Sequence, residues 1–255
     1  MTSPLDAAGE IAIRSLIEGA PLASSLAAAY KSAGYKLALV GGPVRDAILG
    51  RLGNDLDFTT DALPLESKKI LKIWGENIWD TGIEFGTVAA KRGDTTVEVT
   101  TYRSDKYDPE SRKPEVEFGD NIAGDLSRRD FTVNCMALEL TTAVPEFIDP
   151  FNGLADLAKQ ILRTPVTPEQ SFSDDPLRMM RAARFASQLN FEIEDSTLAA
   201  MKDMASRISI VSAERIRDEF TKLLMSNNPR RGISIMVDTG LAALVIPEIP
   251  KLKLE

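Results

Sequence analysis

The sequence predicts an α/β head followed by an all-helical portion. Three observations carry that reading: apolar or alternating runs interleave with helical patterns over residues 11–73, a hairpin signal follows over 87–101, and strand signals almost vanish beyond Thr164. The expected division is residues 1–163 for the head with its N-terminal helices and 164–255 for the helical portion. At 255 residues the chain has room for two modest domains and buries roughly three quarters of its extended surface on folding.

The elements follow in order. Residues 11–33 are mostly helical in pattern, interrupted at Pro21, with a small-residue segment at 22–29 suited to close packing. Residues 37–40 are an apolar run that ends in Gly41-Gly42 and leads into Pro43-Val44-Arg45-Asp46. That order reads as strand, glycine turn and helix with proline in its first turn. Residues 55–59 alternate polar and apolar as a strand does, and Pro64 opens a helix through Ile73. Residues 87–90 and 95–101 flank Arg92-Gly93-Asp94 as a hairpin. Residues 104–120, rich in charge and with two prolines, predict a mobile loop inserted in the fold. Residues 176–188, 197–208, 212–225 and 230–239 read as successive helices.

Composition removes whole classes of chemistry. There is no histidine, so every Ser-His or Cys-His machine is excluded, and the single cysteine, Cys135, allows neither an internal disulfide nor a cysteine-cluster zinc site. Catalysis here runs on carboxylates, arginines, lysines and hard cations. The 30 Lys and Arg against 38 Asp and Glu give a net charge of −8, which argues against nonspecific coating of nucleic acid. Any phosphate contact then comes from a clustered set of arginines. No apolar run approaches the ~18 residues of a membrane span, and residues 1–10 carry no secretory signal, so no membrane partner is expected and the expected compartment is the cytoplasm.

Asp55 and Asp57, two apart on a strand, point from one face while Leu56 and Phe58 point from the other. Two carboxylates so close repel unless a cation lies between them, and Mg²⁺, completed by substrate phosphates and water, fits that need. The plain alternative is a half-exposed strand with its polar side outward. Gly41 and Gly42 at the start of a helix let backbone N–H groups approach phosphate oxygens, with Arg45 one turn further on. Glu98, between Val97 and Val99, is the candidate third carboxylate for a two-metal displacement. Arg128 and Arg129 are candidates for binding triphosphate or ribose, with Asp130 orienting a guanidinium.

Asp174-Asp175-Pro176-Leu177-Arg178 opens a helix in which Arg178, Arg181 and Arg184 spread over ~120° of one face, with Leu177 and Met180 on another. Either the arginine face is simply solvated or it binds phosphate. Cytosine and adenine present an exocyclic amino donor beside a ring-nitrogen acceptor, whereas uracil and guanine reverse that order. A carboxylate beside a guanidinium, as Asp175 and Arg178 offer, is complementary to the first pair and opposed to the second.

Taken together, Gly41-Gly42-Pro43-Val44-Arg45-Asp46 with Asp55-Leu56-Asp57, Arg128-Arg129-Asp130-Phe131-Thr132-Val133-Asn134, Asp149-Pro150-Phe151-Asn152-Gly153, Asp174-Asp175-Pro176-Leu177-Arg178 and Ser212-Ala213-Glu214-Arg215-Ile216 resemble the ordered motifs of the class II tRNA nucleotidyltransferases. The resemblance runs from about residue 37 to about residue 239. It implies a nucleotidyltransferase head of polymerase-β type, then a helical neck and the start of a body. The implied activity is untemplated addition of C, C and A to the tRNA 3′ end from CTP and ATP. Carried over, Asp55 and Asp57 hold Mg²⁺, while Gly42, Arg45 and Arg129 contact the nucleotide. Asp175 and Arg178 read the base, Arg181 and Arg184 continue the nucleotide contacts, and residues 104–120 are the loop involved in the switch from C to A.

The family more often has Glu where Asp174 stands. Its longer members continue into a helical body and tail, so a chain that stops at Glu255 reads as an N-terminal fragment. A bacterial poly(A) polymerase and an enzyme adding only part of CCA are the neighbouring readings. Asp55-Leu56-Asp57-Phe58-Thr59 also fits the nucleophile motif of haloacid-dehalogenase-like phosphatases, but Arg51-Leu52-Gly53-Asn54 ahead of it is no buried strand.

Overall fold

The computed structural model describes residues 4–80, 82–106, 115–119 and 121–251. The chain divides into two compact units, Met1–Asp105 with Val116–Leu154, and Ala155–Glu255 with Lys106–Glu115. Among the described residues no helix is long and apolar enough to cross a membrane.

The first unit opens with α1 (Pro4–Gly19) and α2 (Pro21–Ser32). Pro21 starts the second helix because its missing N–H costs nothing in the first turn. Ala23, Leu26, Ala27 and Tyr30 are the buried residues of α2, the i, i+3, i+4, i+7 stripe of an amphipathic helix. There follow β1 (Leu37–Val40), α3 (Gly42–Ile48), β2 (Asp55–Thr60), α4 (Pro64–Trp74), β3 (Asn77–Trp79), β4 (Thr87–Arg92) and β5 (Thr95–Thr101). Trp74 donates from Nε1 to Ser25 Oγ at 2.8 Å, tying α4 to α2. β6 (Arg103–Lys106) and β7 (Glu115–Phe118) pair as a small sheet of their own. The two ends of the expected loop at 104–120 are therefore strands, and residues 107–114 and 120 lie outside the described residues. α5 (Ile122–Ser127), β8 (Ala137–Glu139) and β9 (Glu146–Ile148) complete the unit.

Seven strands form one sheet in the order β3-β4-β5-β2-β1-β8-β9. β2 and β5 run parallel, and the other neighbours in this sheet pair antiparallel. Leu56, Phe58, Val88, Ala90, Val97 and Val99 are buried on one face, and α4 packs there against β3, β4 and β5. The opposite face is covered at one end, where Ala38, Val40, Cys135 and Ala137 pack with Leu126 of α5. At the β2-β5-β4-β3 end that same face is open, with Asp55, Asp57 and Glu98 exposed.

The second unit holds most of α6 (Gly153–Lys159), then β10 (Ile161–Leu162), α7 (Pro168–Asp174), α8 (Leu177–Leu189), β11 (Glu192–Ile193), α9 (Asp195–Met204), α10 (Ala213–Leu224), α11 (Pro229–Asp238) and α12 (Leu241–Val245). It is not wholly helical, because β10 and β11 pair in parallel through Ile161 with Glu192 and Leu162 with Ile193. Two-residue strands leave no alternation for sequence to show. α8 packs against both α10 and α11 and buries Arg178 and Arg184 along with its apolar residues.

Candidate active site

Register places the carboxylates. Parallel pairing sets Asp57 opposite Glu98 and Asp55 opposite Thr96, so all three acids share the open face while Leu56, Val97 and Val99 point into the core. Antiparallel pairing of Leu39 with Phe58 sets the end of β1, and so the Gly41-Gly42 turn, beside the end of β2 that carries the acids. Oxygen donors on one exposed face suit a hard cation. Among the described residues no three such side chains converge into a closed metal cage. A cation on this face would be held by one or two carboxylates and completed by substrate oxygens, as Mg²⁺ commonly is.

Gly41 has φ 73°, the left-handed region that only glycine enters without strain. A Cβ there would lie 2.8 Å from Arg129 Nη1, so the residue also makes room for a guanidinium against the turn. Arg129 reaches Asp125 through Nη2 at 3.3 Å, and among the described residues its buried Nε has no hydrogen-bond partner. Donors left over in that position suit an anion at the turn.

Arg45 is placed otherwise than the sequence suggests. It is only 6 % exposed, with Nε and Nη2 on Asp46 at 3.0 and 2.8 Å and Nη1 on Asn134 Oδ1 at 2.6 Å. Asn134 in turn donates to Asp130 Oδ1 at 2.9 Å, which also accepts the Phe131 N–H at 2.8 Å. Asp130 thus orients a guanidinium at one remove, and this buried chain backs the turn from within.

Asp125, fully buried, accepts from Arg128 at 2.7 and 3.0 Å as well as from Arg129. Burial pushes its carboxyl up, but the two guanidinium charges outweigh that and hold it below the ordinary carboxylate range. Asp149 accepts from Gly153 N and Leu154 N at 2.7 and 2.9 Å. Gly153 lies so close to Thr132 that any Cβ would collide with its carbonyl. That contact fixes the segment carrying Asn134.

In the second unit, Asp175 receives Arg215 on both oxygens, Nη2 at 2.7 Å and Nη1 at 3.3 Å, and accepts the Leu177 N–H at 3.2 Å. Arg178, 6 % exposed, donates to Ser171 Oγ at 2.9 Å. Arg181 is half-buried, with its guanidinium 5.4 Å from the Phe185 ring centre. Arg184 departs most from expectation. It is buried, ion-paired to Glu219, hydrogen-bonded to Gln188 at 2.6 Å and stacked 4.0 Å over Phe185. The three arginines therefore differ in their surroundings, Arg184 being drawn into the packing between α8 and α10.

Sequence reasoning missed Asp125, Asn134, Ser171 and Arg215 as partners of the site arginines and Asp175. Asp125 was findable, being three and four residues before Arg128 and Arg129 on a helical stretch. Ser171 carries no comparable signal.

Residues 37–163 match the poly A polymerase head domain family, and residues 190–252 match the family described as the probable RNA and SrmB-binding site of polymerase A. The CCA-adding enzyme of Lactobacillus johnsonii is 42% identical over 211 residues, which are 82% of this chain and 51% of that protein. The crystal structure of the Bacillus stearothermophilus CCA-adding enzyme in complex with CTP superposes with a TM-score of 0.79 at 34% identity, covering 91% of this chain and 56% of that one. A tRNA nucleotidyltransferase complexed with a primer tRNA and an incoming ATP analog gives a TM-score of 0.74 at 29% identity, covering 87% of this chain and 62% of that one. This chain spans about half the length of the curated relatives it matches. With both family matches in chain order and the carboxylate face and glycine turn in place, the chain belongs to the class II CCA-adding enzyme family, of which it carries the head and neck portion.

Proposed function

We propose that this chain adds C, C and A to the 3′ end of tRNA from CTP and ATP, releasing pyrophosphate. The observation that carries the reading is the shared open face of Asp55, Asp57 and Glu98, beside the Gly41-Gly42 turn. Asp55 and Asp57 would hold Mg²⁺, with Glu98 as the neighbouring carboxylate. Bound there, Mg²⁺ supplies Lewis-acid activation of the tRNA 3′-hydroxyl and polarises the α-phosphate. The turn and Arg129 receive the triphosphate, while Arg45, Asn134 and Asp130 keep the turn rigid from behind.

Asp175 and Arg178 read the base. Arg215 orients the Asp175 carboxylate as an acceptor, and Ser171 fixes Arg178 as a donor. Arg178→Ala is expected to lower discrimination against UTP and GTP about tenfold or more, since a good bidentate contact is worth roughly 1–3 kcal/mol against the wrong base. Single-nucleotide incorporation with each of the four triphosphates measures it, and an unchanged ratio removes the assignment. The compartment implied is the cytoplasm.

The deciding experiment is product length on a gel after incubating the protein with Mg²⁺, CTP, ATP and a tRNA ending at its discriminator base. Extension that stops after three nucleotides supports the reading. A long A ladder replaces it with poly(A) synthesis, and no extension refutes it for this head and neck portion alone.

A further inference from the structure

The open face does not end at the carboxylates. Antiparallel pairing carries the row of Asp57 and Glu98 on to Ala89 of β4 and Trp79 of β3, and the row of Asp55 and Thr96 on to Lys91 and Asn77. Directly paired residues project from the same side of a sheet, so Trp79 and Lys91 share the face of the acids. The other side is fixed independently, because Arg92, the neighbour of Lys91, lies over the Trp74 ring of α4 at 5.6 Å.

Trp79 is 45% exposed, a large apolar surface for water to cover. Ala89 beside it is small and leaves the indole face accessible. Among the described residues no hydrogen bond or ion pair holds the Lys91 ammonium. At about 4.8 Å per strand, Lys91 stands roughly 10 Å from the Asp55 position and Trp79 roughly 14 Å from Asp57. At about 3.4 Å per stacked nucleotide that is the span of three to four nucleotides.

We propose that β3 and β4 form a track for the single-stranded 3′ end of the RNA primer, a base stacking on Trp79 and a backbone phosphate meeting Lys91. The occupant follows from continuity with the acids that meet the primer hydroxyl, and from the pairing of an aromatic platform with a cation, which single strands use without regard to sequence. The proposal rests on the nucleotidyltransferase reading and adds the primer subsite to it.

The test reads tryptophan emission as a tRNA ending in CC is added in EDTA, where no turnover occurs. Trp74 is buried and bonded to Ser25, so Trp79 is the tryptophan placed to respond. Emission should fall on binding, and the change should vanish in Trp79→Phe. In turnover assays Trp79→Ala should raise KM for tRNA about tenfold with KM for ATP unchanged, Trp79→Phe should retain most of the affinity, and Lys91→Ala should flatten the salt dependence of binding by about one phosphate contact. Unaltered emission, or an unaltered KM for tRNA in Trp79→Ala, overturns the track. So does an altered oligomeric state in light scattering with KM unaltered, which would make β3 an edge between copies. A wild-type protein that extends no tRNA refutes the functional reading instead, and the emission arm still decides the track.

Discussion

Asp57→Ala is expected to lower nucleotide incorporation by about 10³-fold or more while the fold survives. A metal's charge stabilisation in a displacement is worth several kcal/mol, and each 1.36 kcal/mol is a factor of ten in rate. The fold survives because Asp57 is exposed and its neighbours Leu56 and Phe58, which fill the core, are untouched. The melting temperature should therefore stay in the folded range of the wild type while activity disappears, and both are measured on the same preparation. Incorporation within tenfold of wild type would remove Asp57 from the catalytic assignment, and loss of the folded state would make its role structural.

The second large effect lies away from the chemistry. Glu219→Ala should cost about 3–5 kcal/mol, because it removes the Glu219 carboxylate from an ion pair with the buried Arg184 guanidinium. That lowers the melting temperature by on the order of 10 °C. Replacing both partners, Arg184→Met with Glu219→Leu, should recover most of the loss, since well-packed apolar side chains often do as well as a buried ion pair. The double variant also separates two roles for Arg184. If it serves only packing, CTP affinity returns with stability. If it touches the nucleotide as the motif suggests, CTP affinity stays low in a stable protein.

The legible parts of this molecule are those with a local period. Alternation around Asp55, Asp57 and Glu98 pointed to the strands and to one face for Asp55 and Asp57, the glycine pair pointed to the turn, and only the β2–β5 register brought Glu98 to that face. The Arg92-Gly93-Asp94 turn gave the hairpin, and Pro21 and Pro64 gave helix starts. What stayed hidden depends on partners far along the chain. Arg178, Arg181 and Arg184 share one spacing, yet Ser171 engages the first and Glu219 buries the last, and nothing near α8 announces either. Arg45 looked available from its helix position, but its guanidinium is shared between the adjacent Asp46 and Asn134, the latter 89 positions away. β3, at three residues, is too short to show a period, so the exposed face of Trp79 emerges only from its pairing with β4.

The parallel pairing of β2 with β5 has a consequence for how the protein comes into being. The paired positions are 41 residues apart, as Thr59 and Thr100 show, and α4, β3 and β4 lie between the two strands. On a ribosome moving at about 5–20 residues per second, Glu98 emerges roughly two to eight seconds after Asp57. The β4-β5 hairpin is a local structure that closes in microseconds once made, whereas its docking onto β2 must close the long crossover loop first. The nascent chain therefore carries its acids apart, and the face they share is born only when β5 arrives.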